Sequence, residues 1–215
     1  MTGQRTYGGV SAEERRAQRR TALLDAALDI LGDQGIDKLT VSALCQGAGL
    51  NERYYYENFD SREAVLTALF DAIAEELATA LLGALQGAPA DSRGKAHAAI
   101  TAGIHVLTDD PRKARVALLI SSATPELRAR TTHTIRAFAS LVAAEGVDFY
   151  QPDTEMDPVI RFRATYLVGG LVQALDSWLQ GVLPMTRDEL IDHTTDVFVL
   201  LAEDLAAQHR PASSH

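Results

Sequence analysis

The segment from Leu39 to Phe59 constrains the fold more than any other part of the chain. It predicts two short helices, at about 41–47 and 51–58, joined by a turn at Ala48-Gly49-Leu50 in which glycine allows a sharp bend. Asn51 stands where the second helix needs an N-cap residue. Packing the two helices on each other leaves the opposite face of the second helix free. The residues that can close the small core between them are Val41, Leu44, Ala48, Leu50, Tyr55 and Phe59.

The residues before this segment predict a longer helix. Ser11 and Glu14 have the spacing of a capping box, and Gly35 is expected to end the helix in the left-handed C-cap conformation. The apolar residues between them recur at i, i+3, i+4 and i+7, the spacing of one helical face. They are Leu24, Ala27, Leu28 and Leu31.

The remainder of the chain also favours helices. Asp60 or Ser61 is expected to cap a long fourth helix, and proline in the first turn marks three later helix starts. Thr186 and Glu189 form a second capping box, from which a last helix runs to about 207. No stretch shows convincing strand alternation, so the predicted fold is all-α with about nine helices. The intermediate helices are predicted at 92–108, 111–120, 125–145 and 158–180, with a long loop over 146–157.

Charge is distributed unevenly along the chain. The formal net charge is −9, which by itself argues against a nucleic-acid partner. Residues 1–20, however, hold five arginines against two glutamates, so this segment carries about +3 and the rest about −12. An acidic body with a basic arm suits a protein that touches DNA with one end only. The alternative is a solvated, basic first turn of a helix.

Several classes of site are not predicted. The single cysteine, Cys45, allows no intrachain disulfide and no cysteine-clustered zinc site, and is expected to pack as a small buried residue. Asp192, His193 and Asp196 share a helical face, but three converging ligands are not evident, so no metal or other cofactor is expected. No phosphate-binding loop, dinucleotide fingerprint or nucleophile elbow occurs, and we expect no enzyme activity. Without a run of eighteen apolar residues or a signal-peptide core, the chain is expected to be cytoplasmic, with no membrane partner.

About forty contiguous residues resemble the TetR family of bacterial transcriptional regulators. The resemblance rests on the helix from Leu24 to Gly35, the Thr40-Val41-x-x-Leu44 helix, the Ala48-Gly49-Leu50 turn, and Tyr56-x-x-Phe59 followed by Ser61-Arg62-Glu63. It implies a three-helix DNA-binding domain with a helix-turn-helix, joined to a larger helical ligand-binding and dimerisation domain. It also implies a homodimer formed by the last two helices. The expected divisions are a basic arm at 1–10, the DNA-binding domain at 11–60, a connecting helix at 61–85, the ligand-binding and dimerisation domain at 86–209 and a tail at 210–215.

The resemblance also assigns DNA-binding roles by position. Arg53 and Glu52 begin the recognition helix and are candidates for contacts with base edges. The Arg53 guanidinium could bond guanine, and the Glu52 carboxylate could accept a hydrogen bond from cytosine. Glu57 is expected to be turned aside and solvated, and Glu52 could instead be held by Arg53 or Arg16. Tyr55 is expected in the core, and Tyr56 could serve mainly as a brace for its helix. The full set expected at the DNA is Thr40, Ser42, Glu52, Arg53, Tyr54, Tyr56, Asn58, Arg62, Arg15, Arg16, Arg19 and Arg20.

The expected function is repression of transcription, released by a small-molecule inducer that enters the C-terminal domain. The partners are then double-stranded operator DNA, an unidentified inducer and a second copy of the chain. The alternative is a helical ligand-binding or protein-interaction module whose helix-turn-helix no longer reads DNA, which the acidic Glu52 and Glu57 favour. Rough helical phase gives the candidates for the inducer pocket, any of which could be ordinary core: His105, Arg115, Phe138, Phe162, Tyr166 and Trp178.

Overall fold

A computed structural model of the chain describes residues 11–150 and 157–208. The described part holds nine α-helices, one 3-10 turn and no strand. The all-α prediction is therefore confirmed, whereas the predicted arm at 1–10 and tail at 210–215 lie outside the described residues. The helices are α1 (Ala12–Gln34), α2 (Val41–Ala48), α3 (Glu52–Tyr56), α4 (Arg62–Gly87), α5 (Ser92–Thr108), α6 (Pro111–Ala123), α7 (Pro125–Tyr150), α8 (Asp157–Leu179) and α9 (Arg187–Gln208), with the 3-10 turn at Ile36–Lys38.

Local capping explains most helix starts. The Ser11 hydroxyl accepts from the Glu14 amide at 3.0 Å while Glu14 accepts from the Ser11 amide, which confirms the predicted capping box. Ser61, rather than Asp60, caps α4 by accepting from the Ala64 amide at 3.1 Å. Thr186 and Glu189 bond reciprocally at the start of α9, as predicted. These caps satisfy amides that a helix leaves without partners in its first turn.

Two local predictions need correction. Gly35 has a positive φ of 83°, but its ψ of 176° is extended, so α1 does not end in the left-handed helical conformation. The prediction that a helix ends near residue 145 was also wrong, since α7 continues through Gly146 to Tyr150. Glycine disfavours a helix interior without forbidding it, and here the packing of α7 on α8 outweighs that preference.

Packing divides the chain into two compact units. Unit 1 comprises the residues up to 73 together with 110–120, and unit 2 comprises 74–109 and the residues from 121 onward. Unit 1 therefore includes most of α6, although the chain enters and leaves this segment directly from unit 2. The functional domains expected from the sequence stay a prediction.

Unit 1 is built around buried apolar side chains from α1 to α4. Those that are fully buried include Leu23, Leu31, Leu44 and Tyr55. The segment of α6 within unit 1 is held to α1 by polar contacts: Arg112 pairs with Asp29, and Arg115 donates to the Gly32 carbonyl at 2.5 Å. Gly32 gives α6 room, because a Cβ atom there would lie 2.8 Å from the side chain of Arg112.

Unit 2 contains two apolar clusters. The first joins α7 to α8 through small residues such as Ala139, Ala143 and Ala164. The second joins α5 to α8 and α9, with Ile104, Leu175 and others at its centre. No described helix is long and apolar enough to cross a membrane.

Candidate nucleic-acid interface and ligand cavity

The turn between α2 and α3 follows directly from its residues. Thr40 caps α2 by accepting from the Ala43 amide at 3.1 Å, and Asn51 caps α3 by accepting from the Tyr54 amide at 3.2 Å. Gly49 adopts φ 64° and ψ 30°, the left-handed region that glycine enters without steric cost. The two caps and the glycine together fix the direction in which α3 leaves α2.

One side of α3 is anchored in the core of unit 1. The Tyr55 ring is fully buried, its centroid is 6.1 Å from that of Phe59, and its hydroxyl has no hydrogen-bond partner in the structure. Burial raises the pKa of this phenol, so it stays protonated. Cys45 is buried nearby, and its thiol pKa is raised chiefly by the same desolvation, as suits a packing residue.

The other side of α3 presents a basic and an aromatic side chain. The side chain of Arg53 is 82% exposed, and Tyr56 is 58% exposed with its ring edge-on to Tyr55. Thr40, Ser42 and Glu52 are also exposed, and Thr40 and Ser42 stand at the first turn of α2. This combination offers a guanidinium, hydroxyls and helix N-terminal amides on one helix-turn-helix, the chemistry that phosphates and base edges bind.

Glu57 is the centre of an ion-pair cluster, which corrects the expectation that it is turned aside and solvated. Its carboxylate lies 3.1 Å from Arg53 Nε and 3.7 Å from an Arg19 nitrogen. Arg16 donates to the Glu57 carbonyl oxygen at 2.7 Å. Among the described residues, Glu52 forms no ion pair. Arg53 is held by Glu57 instead of by Glu52, the partner suggested from the sequence.

The arginines of α1 are engaged with the helix-turn-helix. The guanidinium carbon of Arg19 lies 4.5 Å from the Tyr54 ring centroid, and that of Arg20 lies 4.8 Å from the Phe59 ring centroid. These contacts brace α1 against α3 and the residues that follow it, and Arg15, Arg16 and Arg20 stay exposed along the same edge. Sequence spacing could not have revealed the cluster, because Arg19 and Glu57 are distant in the chain.

The remaining DNA-binding candidates differ in exposure. Arg62 is exposed at the start of α4 and lies 3.8 Å from Glu63. Asn58 is half-buried, donates to the Tyr54 carbonyl at 2.8 Å, and buries its amide oxygen without a partner. Tyr54 and Arg19 are likewise half-buried. The structure thus gathers all the described candidates on unit 1 but exposes only some of them.

Substituting Glu57 with glutamine is expected to strengthen binding to DNA of any sequence. Removing the carboxylate frees Arg19 and Arg53 to meet phosphate, and each added phosphate contact steepens the salt dependence. We expect a several-fold gain in affinity for random DNA, with a smaller gain on a specific site because Arg53 loses its orientation. Fluorescence anisotropy over a salt series measures both quantities. An unchanged salt slope would show that the cluster does not compete with phosphate.

Unit 2 contains a partly open cavity of about 250 Å³. Its wall is apolar apart from Ser92, Lys95 and Glu145. The Lys95 ammonium lies 3.1 Å from the Glu145 carboxylate, and both side chains are about one third exposed. Sequence reasoning missed these three residues. No sequence pattern near Lys95 or Glu145 indicates that the two residues pair. The side of α5 that lines the cavity could have been predicted, because its small and apolar residues recur at helical spacing.

The six pocket candidates lie in different places. Phe138 lines the cavity. His105 is bonded to Asp109 at 3.0 Å, and Trp178 donates to the Met185 carbonyl at 2.8 Å. The hydrogen bond from His105 lowers the pKa of Asp109, and Arg187 reinforces it. Arg115 belongs to unit 1, while Phe162 and Tyr166 are exposed on α8.

Histidine and acidic side chains of α5 and α9 come close to one another. Over residues 11–150 and 157–208, no three or more histidine, cysteine, aspartate or glutamate side chains are arranged to hold a metal ion. His97 lies 3.6 Å from Asp192, and Asp196 pairs with Arg93 at 2.7 Å. Asp196 is therefore engaged in an ion pair between α5 and α9, and Asp192 lies beside His97 across the same two helices.

The family model described as "Bacterial regulatory proteins, tetR family" matches residues 23–69, which contain the whole helix-turn-helix. The HTH-type transcriptional regulator EthR of Mycolicibacterium smegmatis is 27% identical over 151 residues, covering 68% of this chain and 70% of that protein. The fold matches that of the fatty acid degradation regulator FadR from Bacillus halodurans, with a TM-score of 0.70, 20% identity and coverage of 86% and 94% of the two chains. FadR from Bacillus subtilis in complex with stearoyl-CoA gives a TM-score of 0.67 at 18% identity, covering 85% of this chain and 97% of that one. Residues 23–69 therefore carry a DNA-binding helix-turn-helix of the type found in the TetR family, and the chain is similar to bacterial transcriptional regulators of that family.

Proposed function

We propose that the protein is a cytoplasmic, homodimeric repressor that reads operator DNA with α3 and is released by a small molecule bound in unit 2. The observation that carries the DNA-binding part is the exposed pair Arg53 and Tyr56 on a helix whose other side is buried. An arginine at the exposed N-terminal end of a recognition helix can bond guanine bidentately in the major groove. The hydroxyls of Thr40 and Ser42 are then available for the flanking phosphates.

An exposed apolar surface on the last two helices supports the dimer. Phe162 and Tyr166, one turn apart on α8, are 69% and 65% exposed, with ring centroids 6.4 Å apart. Leu200 of α9 is similarly exposed. Monomeric proteins seldom leave such residues in water together, so a second copy of the chain is the occupant we propose.

Two glycines on α8 support the same surface. Gly169 and Gly170 are exposed, and a Cβ atom at either would meet nothing within 4 Å in the described structure. Glycine in a helix interior costs about 1 kcal/mol relative to alanine. No neighbour within the described chain requires their small size. Close approach of a helix from the partner subunit would explain why glycine occupies both positions.

The inducer site is the cavity of unit 2. A mostly apolar cleft or cavity with a few polar groups is the usual form of a small-molecule site between helices. The FadR structure from Bacillus subtilis holds stearoyl-CoA, and a long acyl chain would match the apolar wall described here. A ligand could act on DNA binding only by favouring one of two conformers of the protein. The α6 segment of unit 1 could transmit such a change, because the chain runs from both of its ends into unit 2.

Selection from fragmented genomic DNA tests the DNA-binding proposal. We expect the wild-type protein to enrich a pseudo-palindromic site, and Arg53→Ala to weaken binding to it by about 1–3 kcal/mol while relaxing specificity at one base pair of each half-site. Tyr56→Phe, which removes only a hydroxyl, is the milder companion variant. Enrichment of no common sequence would favour the alternative, an interaction module in which Glu57 keeps Arg53 from DNA.

A further inference from the structure

The cavity in unit 2 is elongated. It is lined by α5 residues from Ser92 in the first turn to Leu107 in the last, always on one helical face. At 1.5 Å per residue these two positions are about 22 Å apart along the helix. A molecule that fills the cavity must therefore be long and narrow rather than disc-shaped.

The wall along most of this length offers no hydrogen bonds from side chains. The small residues Ala96, Ala99 and Gly103 leave the space beside α5 open, and leucine, isoleucine, valine and phenylalanine side chains surround the rest. A polar group buried there would lose its hydrogen bonds to water without replacement. The long part of the ligand is therefore a hydrocarbon.

All three polar side chains of the wall belong to one end. Ser92 and Lys95 lie at the start of α5, and Glu145 lies late in α7. Lys95 and Glu145 already neutralise each other at 3.1 Å. A carboxylate or phosphate on the ligand would have to take Lys95 from Glu145 and leave that half-buried acid without its partner, which costs more than adding a neutral hydrogen bond.

The charge of unit 2 acts in the same direction. The sequence of unit 2 contains nine basic and seventeen acidic residues, a formal net charge of −8. Such an excess repels anions from the region around the cavity. A neutral head group with both a donor and an acceptor, such as a hydroxyl or an amide, can bond to the pair without breaking it.

We propose that the inducer is an elongated, uncharged lipid-like molecule whose single hydroxyl- or amide-type head binds beside Lys95 and Glu145, and not a fatty acid anion or an acyl-coenzyme A. This inference rests on the proposed function, since it names the ligand class of the same cavity.

The experiment compares head groups on one chain length by titration calorimetry of the full-length protein below the micellar range of each probe. The probes are hexadecanol, hexadecanamide, hexadecanoate and palmitoyl-coenzyme A, with octanol as the short-chain comparison. We expect the two neutral long-chain probes to bind at least about tenfold more tightly than either anion, and octanol to bind weakly. Tighter binding of hexadecanoate or palmitoyl-coenzyme A than of hexadecanol would overturn the proposal.

Three variants locate the effect. Glu145→Gln removes the negative charge beside Lys95, so hexadecanoate should gain about tenfold in affinity while hexadecanol changes little. Ala99→Trp should block all the probes, whereas the matched Ala144→Trp, on an exposed position outside the cavity wall, should block none. Equal effects of Glu145→Gln on both probes, or equal binding by the two tryptophan variants, would refute the site.

Operator release is measured separately. Neutral probes that bind in the cavity but leave operator affinity unchanged would refute the proposed switch and keep the ligand class. Release of the operator by a polar or charged ligand, with no binding of the neutral probes, would refute the ligand class and keep the switch.

Discussion

Replacing Tyr55 with alanine is expected to lower the free energy of unfolding of unit 1 by about 3–5 kcal/mol, the range for deleting a large buried aromatic side chain. The ring is fully buried and packs against Phe59, so its loss leaves a cavity under the recognition helix. DNA binding should be lost with it, because α3 has only five residues and depends on this anchor. Urea denaturation followed by circular dichroism, together with a DNA titration, measures both effects.

Tyr55→Phe is the matched control. The Tyr55 hydroxyl is buried without a partner, so removing it relieves a desolvated polar group rather than breaking a hydrogen bond. We expect the phenylalanine variant to be as stable as the wild type or slightly more stable, with unchanged DNA binding. A loss of more than about 1 kcal/mol in this variant would reveal a hydrogen bond to the hydroxyl and refute the packing explanation.

The second large effect concerns the dimer. The double variant Phe162→Glu and Tyr166→Glu should be monomeric, because burying two like charges in each half of an interface is strongly unfavourable. A monomer engages one half-site at a time, so operator affinity should fall by about 10²–10⁴, the range in which linked sites gain avidity. Light scattering after size-exclusion chromatography and an operator titration provide the two measurements.

Leu82→Glu is the control for the dimer variant. Leu82 is an exposed apolar residue of α4, away from α8 and α9 in sequence. The Leu82→Glu variant should have the same molecular mass in solution and the same operator affinity as the wild type. If the double variant stays dimeric, the apolar surface of α8 is not the interface and another surface must join the two copies.

Elements with local causes could be predicted from the sequence. The capping box at Ser11, the cap at Asn51 and the sharp turn at Gly49 each depend on residues within four positions of one another, and the structure has all three. The same locality explains why the starts of α5, α6 and α9 were predicted to within one residue. Helix ends were less certain, as Gly146 shows, because tertiary packing extends α7 through a residue that usually ends a helix.

Features that join distant residues could not be predicted in this way. The ion-pair cluster at Glu57 needs Arg19 from another helix, and the polar end of the cavity joins Lys95 to Glu145 across fifty positions. Neither pair leaves a periodic pattern in the sequence. The pocket candidates were chosen by helical phase, which places a residue on a face without revealing which faces meet.

The most direct measurement is a hydroxyl-radical footprint of the wild-type protein on its selected operator. A dimer that presents two α3 helices should protect two half-sites on one face of the duplex, about 10 base pairs or 34 Å apart centre to centre. Arg53→Ala should weaken both half-sites equally. A single protected site, or protection without sequence preference, would contradict recognition of an operator by a dimeric helix-turn-helix.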